Sequence, residues 1–268
     1  MSKVWDEHPS WESAEASWEA KAKKAAQERP LKRLKVLPQM PGITPETAQF
    51  LKWKSFKYML FNRQGLAILR HFCRHPLQYG VSYLKSLMRK KSYLRQEDFF
   101  LYNLSSVSEF LRSVKKKEAL LVVGFSYCQK PFECPSGRFS PDCIRDASHP
   151  VCAQCDIGKA LHALPEVNVI PLLIPTVHYI GLKIFEVVHK HPKKKVLFLI
   201  TACEMTLEMF ADWGNMVGIQ GIGVRLDGRI CNTMKAFELS EEGVKPGLTV
   251  LTEKTLDRLF ALIRDLRK

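Results

Sequence analysis

The run ALLVVGF at residues 119–125 is apolar throughout, with no polar residue on alternate positions. A strand with one wet face alternates, whereas a strand buried on both faces of a parallel sheet reads as continuous hydrophobicity. Downstream, Val167–Ile174, Lys195–Thr201 and Gly218–Leu226 read as further strands, and Val244–Leu251 as a last short one. Helical patterns lie between them over 155–164, 177–189 and 204–213, with a closing helix over 253–267. Strand–helix alternation with short connections predicts an α/β fold. Its sheet is expected to be mainly parallel and Rossmann-like, with right-handed crossovers.

This pattern locates the cysteines. Seven of the eight fall in the same half of the chain: Cys128, Cys134, Cys143, Cys152, Cys155, Cys203 and Cys231. Cys128 follows the first strand-like run, Cys203 the third and Cys231 the fourth. In a parallel sheet all strand C-termini lie on one edge, where α/β proteins place their sites. Cysteines distant in sequence are therefore expected to converge there. Gathered thiolates point to zinc or an iron–sulfur cluster. The opening MSKVWDEHPSWES has no apolar stretch of the kind that directs secretion, so a cytoplasmic chain with unpaired cysteines is expected.

The segment after the first strand carries Pro131, Pro135, Gly137, Pro141 and Pro150, which exclude regular structure. A loop of about thirty residues is unusual in a compact domain. Metal ligation would offset its ordering entropy, because binding free energy becomes folding free energy. Cys152-x-x-Cys155 can clip one ion across a turn. Cys128 and Cys134 are the further ligands of first choice, and Cys143 is another candidate. Cys203 is expected at a helix N-terminus, where the dipole favours thiolate. The plain alternative is that Cys203 and Cys231 are small buried residues. His149 would complete a Cys₃His site, or be a solvated loop residue. His178 follows a strand end and suits acid–base chemistry, or a helix start. Glu204 is either a further ligand or a first-turn carboxylate facing the dipole. Asn232 and Thr233 suit hydrogen bonds to a ligand sulfur. His71, Cys73 and His75 form a weaker cluster, since i, i+2, i+4 do not share a helix face.

Charge divides the chain into three parts. Residues 1–44 are expected to be a flexible tail, a frayed helix or disordered, with Trp5, Trp11 and Trp18, then a linker marked by Pro30, Pro38, Pro41 and Pro45. Residues 45–117 are expected to be a basic helical region, and 118–268 the cysteine-rich α/β domain. The chain has a net charge of +14, and residues 31–117 alone hold eighteen Lys and Arg against four acids. Leu77, Val81, Leu84 and Met88 make an apolar helical stripe expected to pack on the α/β domain. Phe100, Leu104, Val107, Leu111 and Val114 make a second. A basic, aromatic-rich segment suits an anionic membrane surface or an acidic protein partner. Nucleic acid is less favoured, since no recognition fingerprint is present. The plain alternative is a solvated lysine face. No span of transmembrane length is visible.

Glycine-rich phosphate loops, H-E-x-x-H and G-x-S-x-G are absent, so the common cofactor and hydrolase classes gain no support. The cysteine order from Cys128 to Cys155, the segment CDIGKALHAL (155–164), TACE (201–204) and RICNT (229–233) resemble the bacterial and archaeal family called domain-of-unknown-function 116. The resemblance covers residues 119–235. It implies a metal or iron–sulfur site at Cys128, Cys134, Cys143, Cys152, Cys155, Cys203 and Cys231, in a family without an established activity. The expected function is a metal-binding, iron–sulfur protein acting in redox or sulfur chemistry. The alternative is a structural zinc module of an adaptor that docks through its basic helices.

Overall fold

The computed structural model describes residues 3–32, 42–49, 51–61, 70, 73, 76–88, 93–214, 218–227, 231–245 and 249–268. Among these, six strands form one mixed sheet: β1 (Leu94–Gln96), β2 (Phe99–Tyr102), β3 (Ala119–Ser126), β4 (Val169–Ile174), β5 (Lys195–Ala202) and β6 (Gln220–Arg225). Their spatial order is β1-β2-β6-β5-β3-β4. Strands β4, β3, β5 and β6 pair in parallel, while β1–β2 and β2–β6 are antiparallel. All eight residues of β3 are buried, and β3 is hydrogen-bonded on both sides, which accounts for its unbroken apolar run.

The pleat sends alternate residues to two cores. Leu121, Val123 and Phe125 face the helices Trp11–Glu28, Val107–Val114, Asp156–Ala163 and Glu253–Arg267. Leu120 and Val122 face Leu51–Phe61, Pro76–Met88, Val177–Lys190, Glu204–Gly214 and Met234–Glu241. No helix among the described residues is long and apolar enough to cross a membrane.

Four sequence expectations change. The N-terminal segment is a packed helix in its described part, not a tail. Ser10 and Ser13 make a reciprocal cap, and the Trp5 ring lies 5.4 Å from Trp11 and 5.8 Å from Trp18. Lys159 Nζ reaches Glu15 at 3.0 Å and Glu19 at 2.6 Å. Its low overall hydrophobicity concealed this, because three tryptophans supply the anchoring that a continuous stripe usually gives. Second, residues 94–102 form strands that extend the sheet, so the region before β3 is not wholly helical. Phe100 belongs to β2, and the helix of the second stripe is only Val107–Val114. Third, residues 244–251 contribute one isolated bridge, Asp227 to Val250, in place of a strand; residues 246–248 are not among those described. Fourth, the stripe of Leu77, Val81, Leu84 and Met88 points outward, at 83, 49, 60 and 86 % exposure. Tyr79 and Tyr83 are the residues of that helix that enter the core.

Trp18 is fully packed and its ring lies 5.3 Å from His162. Trp18→Ala should destabilise the protein by about 3–5 kcal/mol. Chemical denaturation checks this, and a change within experimental error would show that the N-terminal helix contributes nothing to the core.

Candidate functional site: two cysteine pockets

The parallel register sets the first pocket. β3 and β5 run side by side, with Phe125 opposite Thr201, so both chains emerge at the same edge. Beyond β3, a 3-10 turn at Tyr127–Gln129 keeps Cys128 at the strand end. Beyond β5, Cys203 precedes the helix Glu204–Gly214, and Cys231 lies shortly before the helix Met234–Glu241. All three sulfur-bearing residues are buried. Cys203 Sγ lies 3.2 Å from Thr206 Oγ1, and Cys231 Sγ lies 3.3 Å from Ser240 Oγ. The Cys203 and Cys231 thiols are themselves hydrogen-bonded.

The unexpected member is Lys245. It is 5 % exposed, and its Nζ donates to Cys128 Sγ at 2.9 Å and Cys231 Sγ at 3.6 Å. A buried ammonium requires a negative partner. Burial alone would push its pKa down, but the sulfurs of Cys128, Cys231 and Cys203 outweigh it and hold the pKa above its usual value. The hydrogen bond between the two thiols divides their acidities. That bond, reinforced by burial, keeps Cys203 well above the usual thiol range. The same bond lowers Cys231 to about 7 against burial, helped by Lys245 and Ser240. Cys231 is therefore the more acidic thiol of the pair.

A small pocket opens beside Cys128 and Cys203, lined also by Thr176, Thr206, Ser240 and Glu241. The Glu241 carboxylate accepts from the Val177 N–H at 2.6 Å. Burial raises its pKa to about 8 despite that bond. Arg138 braces the far side, donating to Lys245 O at 2.9 Å and Cys128 O at 3.5 Å.

The second pocket is lined by Cys134, Cys143, Cys152 and Cys155 together with Lys130 and Arg145. Cys152 lies in the short helix Pro150–Ala153, and Cys155 is the residue before the helix Asp156–Ala163. Burial raises the Cys155 thiol to about 12, while the N–H groups of Gly158 and Ile157 at the sulfur pull it down. Burial likewise raises Cys152 to about 11. A Cβ on Gly158 would lie 2.7 Å from Cys152 O, so glycine is what lets the helix start press on the C-x-x-C turn. The surrounding loop is held by turns and by buried Lys130, whose Nζ donates to Ser140 O at 3.1 Å and Asp142 O at 2.9 Å. His162 secures its end, accepting from Val4 N–H at 3.2 Å through Nδ1 and contacting Arg145 O at 2.9 Å through Nε2.

The cysteines thus form two groups in place of one. Cys143 and Cys155 pack on one face of the sheet, and Cys203 and Cys231 on the other. Cys128 packs in the same core as Cys143 and Cys155 yet also lines the pocket of Cys203, and shares Lys245 with Cys231, so it stands between the two groups. Among the described residues, no three His, Cys, Asp or Glu side chains already stand at metal-ligand spacing.

The accessory candidates have other work. His149 caps the helix Pro150–Ala153, its Nδ1 accepting from Val151 N–H. His178 is buried against Tyr58, and burial lowers its pKa; it docks the helix Leu51–Phe61 rather than facing the cysteines. Glu204 pairs with Arg95 at 2.7 Å and Arg225 at 3.8 Å. Thr233 caps Met234–Glu241, and Asn232 O accepts from Thr44 N–H. Cys73 is exposed, and His71 and His75 lie outside the described residues. Sequence reasoning missed Lys245, Glu241, Thr206, Ser240 and His162, which carry no spacing signal of their own. No protein-family model, curated protein or solved structure matches this chain.

Glu241 yields a pH prediction. Its folded-state pKa of about 8 lies above the ordinary value of 4.5. The folded state then holds the proton more tightly, so this stability is complete below pH 4.5 and is lost as pH rises through about 8. Denaturation midpoints measured across that window should fall in the wild-type protein by an amount worth a few kcal/mol. Glu241→Gln should flatten the decline; equal slopes for both proteins would refute the assignment.

Proposed function

We propose that this chain is a metal-binding protein whose iron–sulfur centre is held by Cys134, Cys143, Cys152 and Cys155. The observation that carries the reading is that four thiols from separate turns line one pocket, within and just after a stretch, residues 130–149, that has no helix or strand. Four thiols are the donor set of a [2Fe–2S] or [4Fe–4S] cluster. Backbone N–H groups at Cys155 Sγ would stabilise a ligating thiolate, and Lys130 and Arg145 would offset the negative charge of the loaded site. Loading requires the loop to draw its sulfurs together, and the binding free energy would then hold the loop in place. A cluster bound there would supply one-electron transfer. The strand order β4-β3-β5-β6 also supports reading the parallel block as Rossmann-like, with the chain leaving β3 and β5 in opposite directions. The resemblance to the domain-of-unknown-function 116 family belongs to this proposal.

The same four thiols suit a structural zinc ion, the alternative reading. Anaerobic purification with metal analysis separates them: iron, sulfide and a brown colour are expected, whereas colourless protein with one zinc would favour the adaptor. Cys152→Ser and Cys155→Ser should each lose metal and become protease-sensitive in residues 130–155, a destabilisation of several kcal/mol. Full metal content and unchanged protease resistance in both variants would reject the site.

The outward stripe supports a second element, a docking surface for an anionic membrane. Trp53, Phe61, Leu77, Leu84 and Met88 are exposed, with Lys57 and Lys85 exposed on the same two helices. The acids of the segment do not balance its charge, because Glu97 pairs with Lys254 and Arg258, and Asp98 with Arg225. An apolar face ringed by cations suits peripheral attachment to a membrane from the cytoplasmic side. The full chain should sediment with phosphatidylserine vesicles at low salt and be released at high salt. Failure to sediment at low salt would leave only a solvated lysine face.

A further inference from the structure

The pocket lined by Cys128 and Cys203, with Cys231 behind it, is separate from the proposed metal loop, and its chemistry differs. It lies at the carboxyl ends of β3 and β5, the two strands from which the chain departs in opposite directions, where open α/β sheets hold their ligands. Its fixed cation is already present. Lys245 Nζ stands 2.9 Å from Cys128 Sγ and 3.6 Å from Cys231 Sγ. A divalent ion ligated by the same sulfurs at about 2.3 Å would be forced within a few ångströms of that ammonium. The site is instead built to hold negative charge on sulfur. We infer that Cys203 and Cys231 are a redox-active dithiol that reduces a low-molecular-weight disulfide presented at the mouth of this pocket.

Each part of the step has a residue in place. Cys203 lines the pocket, and Cys231 lies behind it, hydrogen-bonded to it and to Ser240. Cys203 Sγ attacks one sulfur of the disulfide R–S–S–R and passes its proton to the Cys231 thiolate. The S–S bond of the substrate breaks, a Cys203–S–S–R mixed disulfide forms, and the first thiolate leaves. Glu241, whose carboxyl group also lines the pocket, protonates that leaving group. Cys231 then returns its proton to Glu241 and attacks Cys203 Sγ, expelling the second thiolate. The substrate disulfide gains two electrons and the protein pair loses two. Lys245 is the positioning residue that stabilises the thiolate, while Thr206 orients Cys203.

The full chain, equilibrated anaerobically with stepped ratios of glutathione to glutathione disulfide, then alkylated and peptide-mapped, tests this. A cross-link between the peptides carrying Cys203 and Cys231 is expected, fully reversed by dithiothreitol. Followed over time at one fixed ratio, cross-linking in Lys245→Met should be about three- to fourfold slower for each unit by which the Cys231 pKa rises. The wild-type cross-link stands as the main readout should that variant fail to fold. Three outcomes would overturn the inference: both thiols free at the most oxidising ratio, a cross-link that joins Cys128 in place of either, or stoichiometric zinc that shields all three thiols from alkylation in the Cys152→Ser background. The metal reading is scored on different peptides, those carrying Cys134, Cys143, Cys152 and Cys155, so either can fail alone.

Discussion

The parallel pairing of β3 with β5 is the constraint on which the rest depends. β3 is buried on both faces and bonded along both edges, so its register with β5 cannot slip without moving every core side chain to the wrong face. That register places the ends of two strands side by side although their paired residues, such as Gly124 and Ile200, lie 76 positions apart in the sequence. Cys128 and Cys203 inherit their closeness from it. No local interaction between them is needed to bring them together.

Buried charge then specifies what the edge can do. Lys245 is enclosed, its ammonium held chiefly by three sulfurs, with the Glu241 carboxyl also within electrostatic reach. Thiols ionise only when an environment stabilises the anion, and an enclosed ammonium does so more strongly than water-exposed lysines would. Glu241 sits at the opposite electrostatic extreme, kept protonated near neutrality by burial. A thiolate stabilised by a cation, beside a neutral carboxylic acid, is a proton-handling arrangement. Burial raises the loop cysteines Cys152 and Cys155, and among the described residues no ammonium is bonded to either, an environment that favours neutral thiols until a cation arrives.

The N-terminal helix and the β1–β2 hairpin show how distant parts of the chain support these pockets. Trp18 and His162 pack together at the wall of the four-cysteine pocket, and Arg267 and Lys3 both donate to Leu164 O at the end of the helix that begins beside Cys155. The hairpin covers the edge of β6 and so shields an otherwise open strand. Its acids, Glu97 and Asp98, are satisfied by cations from elsewhere, while Lys57 and Lys85 of the preceding helices face solvent.

The sequence by itself determined the strands β3 to β6 and the helices between them, because hydrophobic periodicity is a local property and a doubly buried strand has an unmistakable run. It also marked the carboxyl edge as the place for Cys128 and Cys203. It did not determine which cysteines share a pocket, since the sheet separates Cys155 from Cys203 and that separation exists only after folding. Nor did it reveal that the Leu77–Met88 stripe faces outward: an apolar periodicity tells which residues share a face, while the neighbours decide whether that face is covered. Lys245 and Glu241 were illegible for the same reason. Each is an ordinary surface residue in composition and acquires its chemistry from groups that tertiary structure alone brings within reach.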